Sequence, residues 1–203
     1  MPVKRIVIVD YGLGNLRSVY RGLERSGAHP AITSDIEEIA AADAIVLPGV
    51  GAFRDGMEQI GEMQQVLTEA ADSVPMLGIC LGMQMLLEWS EEHGLHAGLG
   101  IIPGTVRRFQ RTPGYKIPHM GWNSLDPIMT DHPLMAGIGK GAFVYFVHSY
   151  YADTSIEHTL TSTDYILPFA SSVSSGNVIG VQFHPEKSGA TGLLILKNFI
   201  GLI

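Results

Sequence analysis

The one cysteine among 203 residues, Cys80, stands in Gly78-Ile79-Cys80-Leu81-Gly82. This G-x-C-x-G arrangement is the thiol form of a nucleophile elbow, a sharp strand-to-helix turn that presents the reactive side chain. Such a turn strains the backbone at the nucleophile, and its neighbours two residues away must lack a Cβ to avoid collision. It also sets the sulfur at a helix N-terminus, where partial positive charge favours thiolate. The N–H of Leu81 then supplies half of an oxyanion hole. A lone cysteine is otherwise a small buried hydrophobe; the paired glycines and the strand-to-helix context favour the chemical reading. A thiolate in acyl transfer needs a base, and the base needs an orienter. Among eight histidines, His184 is the candidate, because Gln182-Phe183-His184-Pro185-Glu186 follows an apolar run and puts a carboxylate two residues beyond the imidazole. Pro185 stiffens that link and stops the strand, so both side chains leave its end together.

The remaining candidates are weaker. His132-Pro133 has Leu134 at the spacing where His184 has an acid, and reads as a surface histidine. His148, in Phe146-Val147-His148-Ser149-Tyr150, reads either as a neighbour of the site or as a hydrogen-bonded core residue. No C-x-x-C or H-x-x-x-H spacing supports a zinc site, so no metal is expected. Gly12 and Gly14 follow an apolar run, but position 17 is Arg where a dinucleotide fingerprint needs a third glycine.

Three apolar β-branched runs position the thiol. Ile6-Val7-Ile8-Val9 ends at Asp10-Tyr11-Gly12-Leu13-Gly14, and Asn15 then caps a helix to about Arg25, stopped by Gly27. Ala44-Ile45-Val46-Leu47 ends at Pro48-Gly49-Val50-Gly51, with helical sequence to about Ala71. Pro75 to Ile79 ends at Cys80, with a helix expected over Met83 to Trp89. Strands buried on both faces and alternating with helices imply an α/β fold with a mainly parallel open sheet, whose sites lie beyond the carboxyl ends of the strands. The second half reads as antiparallel additions: strands at Ile101–Phe109, Phe143–His148, His158–Thr163, Phe169–Val173 and Val178–Phe183. An apolar helix over Gly192–Ile200 closes the chain, and 110–118 is the least structured segment. With no repeat or linker, residues 1–203 read as one domain.

The composition is 46% hydrophobic and 16% charged, which is globular, and the net charge of −7 argues against nucleic acid as a partner. Arg107, Arg108 and Arg111 form the densest basic group and read as a solvated loop. One cysteine makes no internal disulfide. The N-terminal Met1 to Ile6 has no signal-peptide core, and no run is long enough to span a bilayer, so a soluble cytoplasmic protein is expected.

GICLGMQ, the strand-end PGVG and the late HPEKS together resemble the class I (triad) glutamine amidotransferases. DYGLGNL at 10–16, PGVGAF at 48–53, PHMGWN at 118–123 and YFVHSYY at 145–151 narrow the resemblance to the glutaminase subunits of imidazole glycerol phosphate synthases. It runs from Val7 to Phe199 and weakens over 91–99 and 125–140. It implies a flavodoxin-like core and no cofactor. Cys80 would attack the glutamine side-chain amide, with His184 as base, Glu186 as orienter, and backbone at Val50 and Leu81 as the oxyanion hole. The glycines flanking Val50 suggest a peptide that flips to complete that hole only with a partner present. Gly51, Gln84, Glu92, Ser149 and Tyr150 would hold the substrate, although Glu92 lies in a polar run that reads equally as a solvated end. The implied partner is a (β/α)₈-barrel synthase (cyclase) subunit in a heterodimer. It would be met by His119, Met120, Trp122, Asn15 and Lys187, whose plain readings are core residues, a helix cap and a surface lysine. The alternatives are a glutaminase subunit of another class I amidotransferase, a stand-alone cysteine hydrolase, or a non-catalytic module.

Overall fold

The computed structural model describes residues 4–203; Met1-Pro2-Val3, part of the N-terminal stretch read for a signal peptide, lie outside the described residues. The first half alternates strand and helix: β1 Ile6–Val9, α1 Leu16–Arg25, β2 Ala31–Thr33, α2 Ile36–Ala40, β3 Ala44–Gly49, α3 Phe53–Ile60, α4 Met63–Ala70, β4 Met76–Cys80 and α5 Leu81–Met85. The second is mostly strands: β5 Leu87–Ser90, β6 His96–Ala97, β7 Ile102–Arg108, β8 His119–Pro127, β9 Ala142–His148, β10 Tyr150–Asp153, β11 Thr159–Asp164, β12 Pro168–Ser175 and β13 Val178–Val181, then α6 Gly189–Ile200.

The parallel core runs β2-β1-β3-β4-β13, the flavodoxin-type order. Period-two alternation splits each central strand between two hydrophobic layers. Ile6, Ile8, Val46 and Leu77 pack with Val19 and Leu23 of α1 and with Leu196 and Phe199 of α6. Val7, Val9, Ile45 and Leu47 pack on the other face with Phe53, Leu67 and Met83. Burial on both faces explains why these strands read as unbroken apolar runs. β12, β10 and β7 extend the sheet, antiparallel in each pairing, while β8 and β9 form a hairpin joined through β11. Among the described residues, no helix is long and apolar enough to cross a membrane.

The structure corrects several expectations. Gly61 breaks the long helix expected before Ala71 into α3 and α4. The helix expected over Met83–Trp89 does not form. The Met85, Leu86 and Leu87 carbonyls accept instead from N–H groups of Leu99, Gly100, Ile101 and Ile102, so the chain turns into β5 after one helical turn. β13 is not an antiparallel addition on the β4 side: it pairs parallel with β4 and antiparallel only with β12. Arg107 and Arg108 lie in β7 rather than a loop, and Arg107 pairs with Asp153 at 2.9 Å. His132 is half-buried, accepting from the Leu134 N–H at the start of a 3-10 turn, and burial pushes its pKa down.

Candidate active site

Strand register brings the site together. Gly49 of β3 pairs with Cys80, and Val181 of β13 pairs with Ile79, so Gln182 emerges beside the sulfur and His184 just beyond it. Cys80 has φ +55°, a region that L-residues rarely occupy. The two glycines are required by packing as well as by the turn. A Cβ on Gly82 would run into the Leu47 carbonyl, and one on Gly78 would lie 2.7 Å from Leu86 Cδ1. α5 is only five residues long, so its dipole adds little at the sulfur. Its first N–H groups have no partner within the helix, and Leu81 heads them.

Pro185–Lys187 forms a 3-10 turn that folds Glu186 back onto His184, with Oε1 2.8 Å from Nδ1. Because a carboxylate only accepts, Nδ1 carries the proton of that bond. Both side chains are almost fully enclosed, and among the described residues Nε2 of the imidazole has no hydrogen-bond partner. Burial works against the imidazolium, yet contact with Cys80 and then Glu186 overrides it and lifts the His184 pKa to about 9. Ser188 clips this turn to β9: its hydroxyl donates to the His184 carbonyl at 2.6 Å and accepts from the Tyr145 N–H at 2.9 Å. The His184 N–H in turn donates to the Tyr145 carbonyl at 2.9 Å.

A cleft of about 450 Å³ opens at the sulfur, walled by Val50, Gly51, Leu81, Gln84, Glu92, Ser149, Tyr150 and His184. Every residue expected in the triad, oxyanion hole and substrate set therefore borders one cavity or, for Glu186, backs it. Glu92 reaches it from the turn after β5 and accepts from the Phe53 N–H at 2.7 Å, which ties the cleft to the start of α3. Val50 is 40% exposed, and Gly51 has φ +107°. A side chain at Gly49 would run into the Tyr11 hydroxyl and Leu81, so Gly49→Ala would disturb the strand rather than report on a flipping peptide.

Sequence reasoning passed over four residues here. Tyr11 is buried one residue past Asp10 and donates to the Pro48 carbonyl at 2.6 Å, and burial and then Cys80 push its phenol upward. Gln182 donates to Cys80 Sγ at 3.7 Å. It sits two residues before His184, the strand spacing that keeps side chains on one face, which was the available signal. Ser188 ends HPEKS but carries no charge to mark it. Asn123 donates to the Asp164 carbonyl and approaches His119 Nε2 at 3.3 Å, while His119 Nδ1 meets His148 Nε2 at 2.9 Å and His148 Nδ1 meets the Tyr150 carbonyl at 2.8 Å. Only one polarity fits this string. The carbonyl cannot donate, so His148 holds its proton on Nδ1 and His119 must donate to it. Burial pushes His119 to about 4 and His148 to about 3, so both stay neutral at physiological pH.

Of the expected partner-facing residues, Met120 and Trp122 are 63% and 56% exposed, and Asn15 and Lys187 are exposed too. His119 is not: alternation along β8 turns it inward, where it is 3% exposed. Asn15 occupies the position before α1 but makes no side-chain cap bond.

The class-I glutamine amidotransferase family model matches residues 7–202. The chain is 59% identical over 98% of its length to the imidazole glycerol phosphate synthase subunit HisH of Methanosarcina acetivorans, with 98% of that protein covered. It is 50% identical to the protein of the same name from Bacillus cereus, covering 98% of this chain and 95% of that one. Among solved structures, PurLQS from Thermotoga maritima superposes with a TM-score of 0.76 at 20% identity, covering 98% of each chain. The glutaminase domain of Trypanosoma brucei CTPS superposes at 0.67 and 19% identity, over 98% of this chain and 94% of that one; these two share the fold.

Proposed function

We propose a mechanism for this chain, which belongs to the class I glutamine amidotransferase family, in which Cys80, His184 and Glu186 hydrolyse the side-chain amide of glutamine. The chain is a glutaminase that serves imidazole glycerol phosphate synthesis, in histidine biosynthesis. The observation that carries the triad is the His184–Glu186 pair, enclosed at the wall of the cleft that holds Cys80, with no partner for Nε2 among the described residues.

His184, which burial lowers but Cys80 and Glu186 raise to about 9, takes the Cys80 proton as base and then holds it on Nε2 as an acid. The sulfur attacks the amide carbon, and the tetrahedral oxyanion is held by the N–H of Leu81 and one from the Val50 segment. His184 Nε2 gives its proton to the leaving nitrogen as the C–N bond breaks, releasing ammonia and leaving a γ-glutamyl thioester on Cys80. The now neutral imidazole takes a proton from water, whose oxygen attacks the thioester and frees glutamate. The proton stays on Nε2 and the thiolate is restored. Glu186 keeps Nδ1 protonated throughout, which leaves Nε2 as the atom that exchanges protons. Gln84, Glu92, Gly51 and the Ser149-Tyr150 corner seat the amino-acid head group.

Ammonia is lost to protonation in bulk water, so this chain works with a partner that carries out the synthase reaction. That partner, in our reading, is a (β/α)₈ barrel, joined in a heterodimer through the face that carries Met120, Trp122, Asn15 and Lys187. These four lie on linked elements: the Trp122 ring is 3.9 Å from the Cβ position of Gly189, and α1 packs on the 185–187 turn. The test is glutamate release by the chain alone, with the synthase partner, and with that partner plus its ribonucleotide. Strong activation in the third arm is expected; equal rates in all three would make the chain a stand-alone hydrolase.

A further inference from the structure

Gln182 touches the Cys80 sulfur, yet no step above uses it. The residue is fully buried, and its Nε2 is 3.7 Å from Sγ. An amide can turn either an NH₂ group or an oxygen toward a neighbour, with opposite effects on a thiolate. Here the choice is forced from a distance. The Tyr150 carbonyl only accepts, so the Gln84 atom 3.2 Å from it must be the NH₂ group. That same Nε2 lies 3.0 Å from the Gln182 side chain, whose facing atom must therefore be oxygen, leaving its NH₂ for the sulfur. Turning either amide over would oppose two oxygens or two NH₂ groups inside a buried contact, at a cost comparable to leaving a buried group unpaired.

We propose that Gln182 is a catalytic residue whose side-chain N–H, aimed by Gln84 and the Tyr150 carbonyl, stabilises Cys80 as the thiolate. The proposal deepens the reading of Cys80 as nucleophile and rests on it. The titratable groups that face the sulfur are His184, backed by Glu186 on the turn after β13, and Tyr11 from the segment after β1. His184 gives up its proton during turnover, whereas an amide N–H remains a donor through the whole cycle. Gln182 thus keeps one donor on the sulfur when the thiolate leaves the thioester.

Because Cys80 is the one cysteine, alkylation by iodoacetamide reports on it alone. The full-length chain at neutral pH is compared with Gln182→Leu, Gln182→Glu and Gln84→Leu, each checked for folding by thermal unfolding. Loss of a hydrogen bond to a charged group predicts alkylation about tenfold slower in Gln182→Leu. Gln182→Glu should be slower still, and Gln84→Leu slower by several-fold because Gln182 is then free to turn. If Gln182→Leu does not fold, the other two decide. Rates within about twofold of the native chain in the folded variants would overturn the proposal. The assay needs neither glutamine nor partner. Failure of the native complex to release glutamate would instead remove the functional reading and leave this result standing.

Discussion

At the end of β4, Cys80 is held by sterics: φ +55°, a glycine two residues away on each side, and the Leu47 carbonyl where a Cβ of Gly82 would go. Just past the end of β13, one strand over, His184 is held by a hydrogen bond from Ser188 and by its own donations to the Tyr145 carbonyl and the Glu186 carboxylate. The backbone that presents the proposed nucleophile must hold one strained conformation, and close-packed backbone suits that task. In the proposed mechanism His184 must exchange a proton without moving, and the polar groups that brace it and fix its tautomer suit that task. Damage should therefore be all-or-none at the elbow and graded at the turn.

Gly82→Ala is expected to have the largest effect. Backbone cannot yield to the new Cβ as a flexible side chain could, and a loss of about 3 kcal/mol or more, or about 10 °C in Tm, should follow. Thermal unfolding measures it, and a variant of native stability would break the contrast. Glu186→Gln should cost less stability than Gly82→Ala, while glutamate release by the complex falls about 10³-fold, as the tautomer that frees Nε2 is no longer enforced. The same pair sets an alkaline limit. His184 is raised, so the acid form is complete well below its pKa and is lost as pH rises through about 9. Glutamate release should decline above that pH, and in Glu186→Gln the decline should begin lower. Ser188→Ala should be the mildest: one bond lost at each of two backbone groups, with about 1–2 kcal/mol in stability and about tenfold in kcat. If Ser188→Ala cost as much activity as Glu186→Gln, bracing rather than proton chemistry would dominate at this turn.

The same contrast governs what could be read from sequence. β1, β3 and β4 are buried on both faces, and their apolar runs with glycines at the ends announced the strands and the sharp turn at Cys80. HPE announced its own pairing, since a histidine and a glutamate two apart flank a proline. β8 and β10 were not visible. β8 carries His119, Asn123 and Ser124 inward or at the edge and Met120 and Trp122 outward, which inverts the usual alternation, and β10 is only four residues long. Met83–Trp89 has good helix formers and was overridden by the Leu99–Ile102 N–H groups, a long-range effect with no local trace. Gln182, Ser188 and the His119–His148 pair act through partners distant in sequence, which are brought within reach by the register of β13 against β4, by the 185–187 turn meeting β9, and by the register of β8 against β9.

The central claim is a covalent thioester on Cys80, and it can be seen directly. The complex of this chain with its ribonucleotide-loaded synthase partner is quenched in acid during steady turnover of glutamine, then digested and weighed by mass spectrometry. One glutamyl group is expected on the peptide containing Cys80, absent without glutamine and absent in Cys80→Ala, which should release no glutamate. Sustained turnover with no adduct, or native rates from Cys80→Ala, would contradict it.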